Sequence, residues 1–493
     1  MQSLAKQGNR PSIVPVTRVR ARVLAWVLAL VSGAASLSGA QTGGAQTSGA
    51  QTGGAQTQDS RTGTTPAPNA TPSAPSPTGT GSDLGTRGVT FDPTRSPFPP
   101  ALHARVVEVI DHIYNFEFAA AEEKARAIRR GQPDEPIGSF LLSEAFFWQA
   151  VNNRDIPDLT DRFRDESKRV QELCEKQLKQ DQHHPTALFM LGGVSGRKAI
   201  LDGLTGHRFE SVNTAVKARQ YLKLLNRTHP EQEDAYLGLG LYDYFASQLP
   251  WFARVLSKLV LGLGGDQAKG IAQLERAARH GLFTQVEARI FLSIAYLDTE
   301  GRYEEALAIL KQLNSRYPKN LDFYGMLAFA YRTRHDYANA IAMLETLVES
   351  AAHEPAFGRQ SRDMSAYFLA STCKVAGRFD CALSHLDRLI AAPDRDSEWL
   401  TAMSLLERGR IHDIQGHRDL AKADYQRVLE LKDFRHSREN AKLYLEEPYV
   451  VPPEEASHHL PPVTPSGSAN TAVDRFGSGQ SVAPPGSTAG KRP

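Results

Sequence analysis

Residues 303–347 read YEEALAILKQLNSRYPKNLDFYGMLAFAYRTRHDYANAIAMLETL, and this stretch decides the fold. Its apolar residues recur at helical spacing and do not alternate as a half-buried strand requires. Ala306, Leu310, Leu313 and Pro318 form a series: a small residue, apolar residues four and seven positions on, then a proline twelve on. Ala340, Leu344 and Leu347 begin the series again 34 residues later. Between the two, Ala328 and Tyr331 place a small residue three before an aromatic one. Small side chains at these points let two antiparallel helices approach closely.

The series continues outward on both sides. Ala382, Leu386 and Leu389 follow, then Ala421, Tyr425 and Val428; the key alanines are spaced 34, 42 and 39 residues apart. The excess over 34 falls in loops such as 353–360, where a stack of helical pairs tolerates insertions. Ala370 with Cys373, and Gly409 with His412, match Ala328 with Tyr331, while Gly301, Gly377 and Gly416 stand in the turns between paired helices. Toward the N-terminus, Ala121, Ala125, Ile128 and Pro133 fit the series. Ala218, Leu222, Leu225 and Pro230 fit it too, and Gly270, Leu274 and Ala277 fit it less closely. Gly192 precedes Ala218 by 26 residues, against 12 from Ala328 to Ala340. The difference is about four helical turns, enough to lengthen both helices of that pair by two. Ser139–Val151 and Thr160–Gln180 are expected to supply a further pair. The pattern resembles the tetratricopeptide repeat (TPR). It predicts an all-α, TPR-like right-handed α-solenoid of about eight helical hairpins, each covering the apolar face left by its neighbour.

Composition shifts bound this region. Arg18, Arg20 and Arg22 precede an apolar run from Val23 to Ala35, and Ser38-Gly39-Ala40 offers a cleavage site. Residues 1–40 therefore read as a signal peptide, and the chain is expected to be exported, periplasmic or secreted. The alternative is an uncleaved membrane anchor; no other stretch is apolar and long enough to span a bilayer. Residues 41–57, QTGGAQTSGAQTGGAQT, open a low-complexity linker expected to be disordered to residue 100. Residues 101–284 are assigned to a long-helix TPR-like region, 285–446 to TPR repeats and 447–493 to a disordered tail.

The block Asp234–Gly281, DAYLGLGLYDYFASQLPWFARVLSKLVLGLGGDQAKGIAQLERAARHG, has a Gly-rich helix, a Ser-x-Leu-Pro turn, an apolar helix and a Gly-Asp step. It resembles the tetratricopeptide repeat protein 39 and yeast inclusion-body-clearance family through Gly238, Gly240, Ser247, Leu249, Pro250, Gly264, Gly265, Asp266 and Gly270. The chain also resembles exported bacterial TPR proteins. Both resemblances imply a helical scaffold and neither implies an active site. Read from the residues alone, Gly238 and Gly240 permit close helix approach, Pro250 starts a helix and Asp266 caps the one beginning near Gln267. Tyr242, Tyr244, Phe245, Trp251 and Phe252 are either core filler or the lining of a peptide pocket; Trp251–Leu263 is either a core insert or a partner-docking helix.

Fifty-seven basic and 55 acidic residues leave a net charge of +2, which gives no electrostatic case for nucleic-acid binding. There is no HExxH, GxSxG or P-loop motif. His183-His184 and His458-His459 lack companion ligands nearby, and His412 is expected to be a packed, hydrogen-bonded residue. No catalytic residue, cofactor or metal is therefore expected. Cys373 and Cys381 fall on the two helices of one hairpin and read as two small buried residues, with a disulfide as the alternative.

Repeat geometry places Phe329, Arg332, Tyr367, Lys374 and Arg410 along the concave face. A mixed aromatic and basic groove suits an extended or helical peptide of some acidic character. Ile290 and Ile294 stand where chaperone-type TPRs carry a carboxylate clamp, so that clamp is missing there. The expected function is a non-catalytic protein-interaction scaffold of the cell envelope. An accessory ligand- or lipid-binding subunit of an envelope transport or enzyme complex is the alternative, with its ligand in the long-helix half.

Overall fold

The computed structural model describes residues 83–153, 156–248, 265–298, 302–391, 398–457 and 459. The expected signal peptide, most of the expected linker, residues 249–264 (with Leu249, Pro250, Trp251–Leu263 and Gly264), Gly301, His458 and the expected tail from 460 onward lie outside these residues.

Among the described residues the chain is helical and forms eight hairpins in sequence. They are α1 Pro100–Tyr114 with α2 Phe118–Gly131; α3 Ile137–Asn152 with α4 Leu159–Gln180; α5 Pro185–Leu204 with α6 Arg208–Thr228; and α7 Ala235–Ser247 with α8 Gln267–His280. After them come α9 Gln285–Asp298 with α10 Tyr303–Arg316; α11 Leu321–Thr333 with α12 Tyr337–Ala351; α13 Arg359–Val375 with α14 Phe379–Ala391; and α15 Glu398–Ile414 with α16 Arg418–Glu430. α17 Ser437–Glu446 closes the stack, and a single turn, α18 Pro453–Ala456, follows. Each helix packs against the one before and the one after it. This is a TPR-like α-solenoid, as the repeat predicts.

The series residues do what their spacing implies. Ala121, Leu225, Leu274, Ala306, Leu310, Ala340, Leu344, Ala382, Leu386, Ala421 and Tyr425 are all buried. Glycines allow contacts no side chain would: a Cβ on Gly270 would sit 2.6 Å from the Tyr244 nitrogen, and one on Gly238 would sit 2.4 Å from Leu222. Asp266 caps α8 by accepting from the Lys269 N–H. The long pair expected around Gly192 is α5/α6, of 20 and 21 residues.

Five hairpins share one turn. Two residues before the second helix, Phe116, Gly206, His335, Gly377 and Gly416 all have positive φ, from 59° to 88°. In each, the next N–H donates five residues back, for example Asp336 to Tyr331 and Arg378 to Cys373. Only three of the five are glycine.

Two findings extend the expected boundaries. Residues from Asp83 on, inside the expected linker, pack on the stack, where Arg289 on α9 holds them. That guanidinium, 1% exposed, donates to the carbonyls of Leu84, Arg87 and Gly88. Burial pushes it down to about 10. At the other end, residues 447–457 of the expected tail are folded back onto the stack.

The stack also turns back on itself. Asn320 donates to the Tyr114 carbonyl at 2.8 Å, Arg316 pairs with Asp111, and Asn153 donates to the Pro355 carbonyl. The first two hairpins thus touch the fifth to seventh.

Candidate peptide-binding groove

The first helices of successive hairpins (A helices) line one face, and the two halves of the molecule treat that face differently. In the first half it is filled. Phe140, Phe189 and Phe283 pack with ring centres 5.2–5.7 Å apart. Beside them Arg197 of α5 pairs with Glu144 of α3 at 2.8 Å and Glu287 of α9 at 2.6 Å, under the ring of Phe147. A cavity of about 20 Å³, room for about one water, lies between Tyr114, Trp148, Ile290, Asp322 and Met326. Burial pushes the Asp322 carboxyl up to about 7. Ile290 and Ile294 are both buried. Tyr244 packs edge-on against Phe245, which meets Phe291, so these rings are core. Trp251 and Phe252 lie outside the described residues.

In the second half, α11, α13 and α15 carry the predicted groove residues on two ladders. Three positions before the positive-φ turn residue stand Arg332, Lys374 and Asp413; six positions before it stand Phe329, Ser371 and Arg410. Arg332 reaches across to α13, donating to the Thr372 and Ser371 hydroxyls at 2.9 and 3.3 Å. Lys374, with a side chain only 6% exposed, ion-pairs with Glu407 of α15 at 2.9 Å. Arg410 pairs with the same carboxylate at 2.8 Å and donates to the Tyr444 hydroxyl. Burial disfavours the Glu407 anion, but Lys374 and Arg410 outweigh it and hold the carboxyl at about 2. Glu407 in turn holds Lys374 above its ordinary range despite burial. Burial lowers Arg332.

The groove cations are not left open to solvent. Lys374 and Arg410 are already partnered, and Tyr367 is core, packed edge-on against Phe368 and Trp399. Phe329 is half-buried against the core. The repeat pattern marks the cations but not the residues that answer them, Glu407, Asp413, Tyr444, Tyr449 and Glu455.

Tyr449 and Glu455 come from the segment after α17. The Tyr449 N–H donates to Asp413 at 2.8 Å, and its ring lies 5.6 Å from the Lys374 ammonium and 5.2 Å from the Arg410 guanidinium. Glu455 reaches Lys374 at 3.4 Å. Pro448 and Pro452 favour an extended run, and Pro453 opens the single turn α18 that carries Glu455. His459 is exposed and lies edge-on against Phe379.

Three smaller readings also change. Cys373 and Cys381 form a disulfide with Cα atoms 6.0 Å apart, because the turn at Gly377 brings the two helix ends together. His184 is the N-cap of α5, accepting from the Ala187 N–H, and not a charge at a helix C-terminus. His412 is packed, but its Nε2 stands 4.0 Å from Asp424, too far for the hydrogen bond expected. Among the described residues no group of three or more His, Cys, Asp or Glu could hold a metal ion, and no helix is long and apolar enough to cross a membrane.

Helical hairpins with a charged and aromatic inner face define the class as a TPR-like solenoid. The tetratricopeptide repeat family model matches residues 299–359. No curated protein matches the sequence. Among solved structures, the human IFIT1 dimer with m7Gppp-AAAA is 14% identical, covering 73% of this chain and 86% of that one at a TM-score of 0.39. The Cut9 complex with Hcn1, described as an APC/C hetero-tetramer, is 13% identical, covering 67% and 59% at 0.38. Yeast Tom70 is 11% identical, covering 68% and 86% at 0.33. These overlaps are loose, and the description of the fold rests on the helix order and contacts above.

Proposed function

We propose that the chain is a non-catalytic protein-interaction scaffold of the cell envelope, and that it binds partners along the A-helix face of its last three hairpins. One observation carries the reading: Lys374, Arg410 and Asp413 already hold the segment Tyr449–Glu455, which runs extended to Pro452 and then enters the turn α18, by ring-over-cation contacts, an ion pair and a backbone hydrogen bond. Such a face suits extended segments that carry aromatic and acidic side chains. The basic, then apolar, N-terminus supports export, and the Cys373–Cys381 disulfide suits an oxidising compartment. Resemblance of residues 234–281 to the tetratricopeptide repeat protein 39 family adds a scaffold to this reading.

The test places a photo-crosslinking amino acid at Phe329 of the full-length chain in intact cells, followed by envelope fractionation and mass spectrometry. The expected result is protein adducts in the envelope fraction that are missing when the crosslinker is placed at the exposed Phe209. A folded chain that yields no adduct from position 329, or that stays in the cytosol, would sink the reading.

A further inference from the structure

We propose that residues 447–457 are a built-in occupant of the groove, and that a partner segment of matching chemistry must displace them to bind. Matching chemistry here means an extended run that carries one tyrosine, then a turn that presents a carboxylate six residues further on. The proposal rests on the scaffold reading above and specifies how its site is regulated.

The segment has the form of a bound peptide. It follows α17 directly, carries prolines at 448, 452 and 453, and contributes just one turn of helix. It meets the groove at three kinds of point. Its backbone is read by Asp413, a carboxylate that also accepts from the Tyr425 hydroxyl and pairs with Arg418. Its tyrosine ring covers Lys374 and Arg410. Its Glu455 supplies a second carboxylate to Lys374, which Glu407 already neutralises. The Tyr449 hydroxyl also faces Glu455 at 3.4 Å, so the two anchoring side chains support one another.

The contacts divide by depth. Glu407, 8% exposed, and Asp413, 0% exposed, belong to the stack. Glu455 is 21% exposed, and its neighbours Val450 and Ser457 face solvent. Removing the segment leaves Lys374 and Arg410 still paired to Glu407, so the groove keeps its shape while its outer contacts fall open. A tether only a few residues long gives the segment an effective concentration on the order of millimolar. A free peptide of micromolar intrinsic affinity is therefore held off by roughly a thousandfold.

The experiment uses the full-length chain and a fluorescein-labelled peptide of residues 446–459, EEPYVVPPEEASHH, with binding read by fluorescence polarisation. Wild-type chain should bind it weakly. The double variant Tyr449→Ala/Glu455→Gln should bind it at least tenfold more tightly. The same peptide carrying both substitutions should show no such gain. Hydrogen exchange on α13 and α15 checks that the variant is folded; should it be destabilised, Glu455→Lys, which alters only the exposed anchor, takes its place. Equal affinity of wild-type and folded variant, or equal binding of both peptides, overturns the proposal. Loss of the peptide effect while the Phe329 adducts persist would leave the scaffold reading standing and make the segment a structural brace.

Discussion

The A-helix faces of the two halves are built from the same repeat yet end in opposite states. From α1 to α9 the face is closed by the protein's own rings and by Arg197 between Glu144 and Glu287. At α13 and α15 it is covered by Tyr449 and Glu455, which arrive from the segment after α17. The first half has become core and the second remains a surface with an occupant. The difference follows from curvature: the first two hairpins lie against the fifth to seventh, so the inner face of the early repeats is largely buried.

The strongest way to break this comparison is to remove one charge from each network. Arg197→Met strands two buried carboxylates, and the cost should be about 3–5 kcal/mol in urea denaturation. Replacing Glu144 and Glu287 by Gln in the same chain should restore most of it. Arg410→Met should cost only about 1–2 kcal/mol, because Lys374 still faces Glu407. Equal costs would mean the two faces are equally core-like.

Acid separates them next. Glu407 ionises at about 2 in the fold, against 4.5 for a free glutamate. Its contribution is complete above pH 4.5 and disappears as the pH falls toward 2, so stability should drop by about 2 kcal/mol across that window. Glu407→Gln should flatten this part of the profile. Glu117 in the first half is held as low, by Lys319 and then His112. It sits nearer the surface, where solvent weakens the pair, so Glu117→Gln should alter the profile less.

Glycine packing gives a smaller contrast. Gly270→Ala drives a Cβ into the Tyr244 backbone at 2.6 Å, and should cost about 2–3 kcal/mol in thermal melts. Gly409→Ala meets the edge of the Tyr425 ring at 2.5 Å. A ring can tilt where a helix backbone cannot, so about 1 kcal/mol is expected.

Most of the stack was legible because the repeat writes it in small residues. Ala306, Ala340, Ala382 and Ala421 are each fully buried. What a one-dimensional repeat cannot encode is contact between distant repeats. Tyr114 gives no local sign that Asn320 will hold its carbonyl. The cations of the groove were legible by projection from the repeat; their partners were not, since Tyr449 and Glu455 lie in a stretch whose prolines read as tail. Those prolines were the available signal, because they pre-order an extended segment as readily as they prevent a helix. The disulfide was hidden because helical spacing alone does not bring Cys373 and Cys381 together. Cys381 is only half-buried, but the tight turn at Gly377 decides the distance.

That turn yields the finest test. His335 holds the left-handed conformation that Gly377 and Gly416 hold in the next two hairpins, at φ 59° against 74° and 78°. A side chain there costs free energy that glycine does not incur. His335 offsets this by its contact with the Tyr337 hydroxyl at 3.0 Å. His335→Gly trades one for the other, and its melting temperature should move by the equivalent of no more than about 0.5 kcal/mol. Phe116 occupies the same turn in the first hairpin, but its ring is buried between Phe118 and Phe357. Phe116→Gly relieves the same backbone and still destabilises, because there the turn residue also seals the contact between the first hairpin and the seventh. A neutral result at 335 with a loss at 116 separates the cost of the turn from the cost of closing the solenoid on itself.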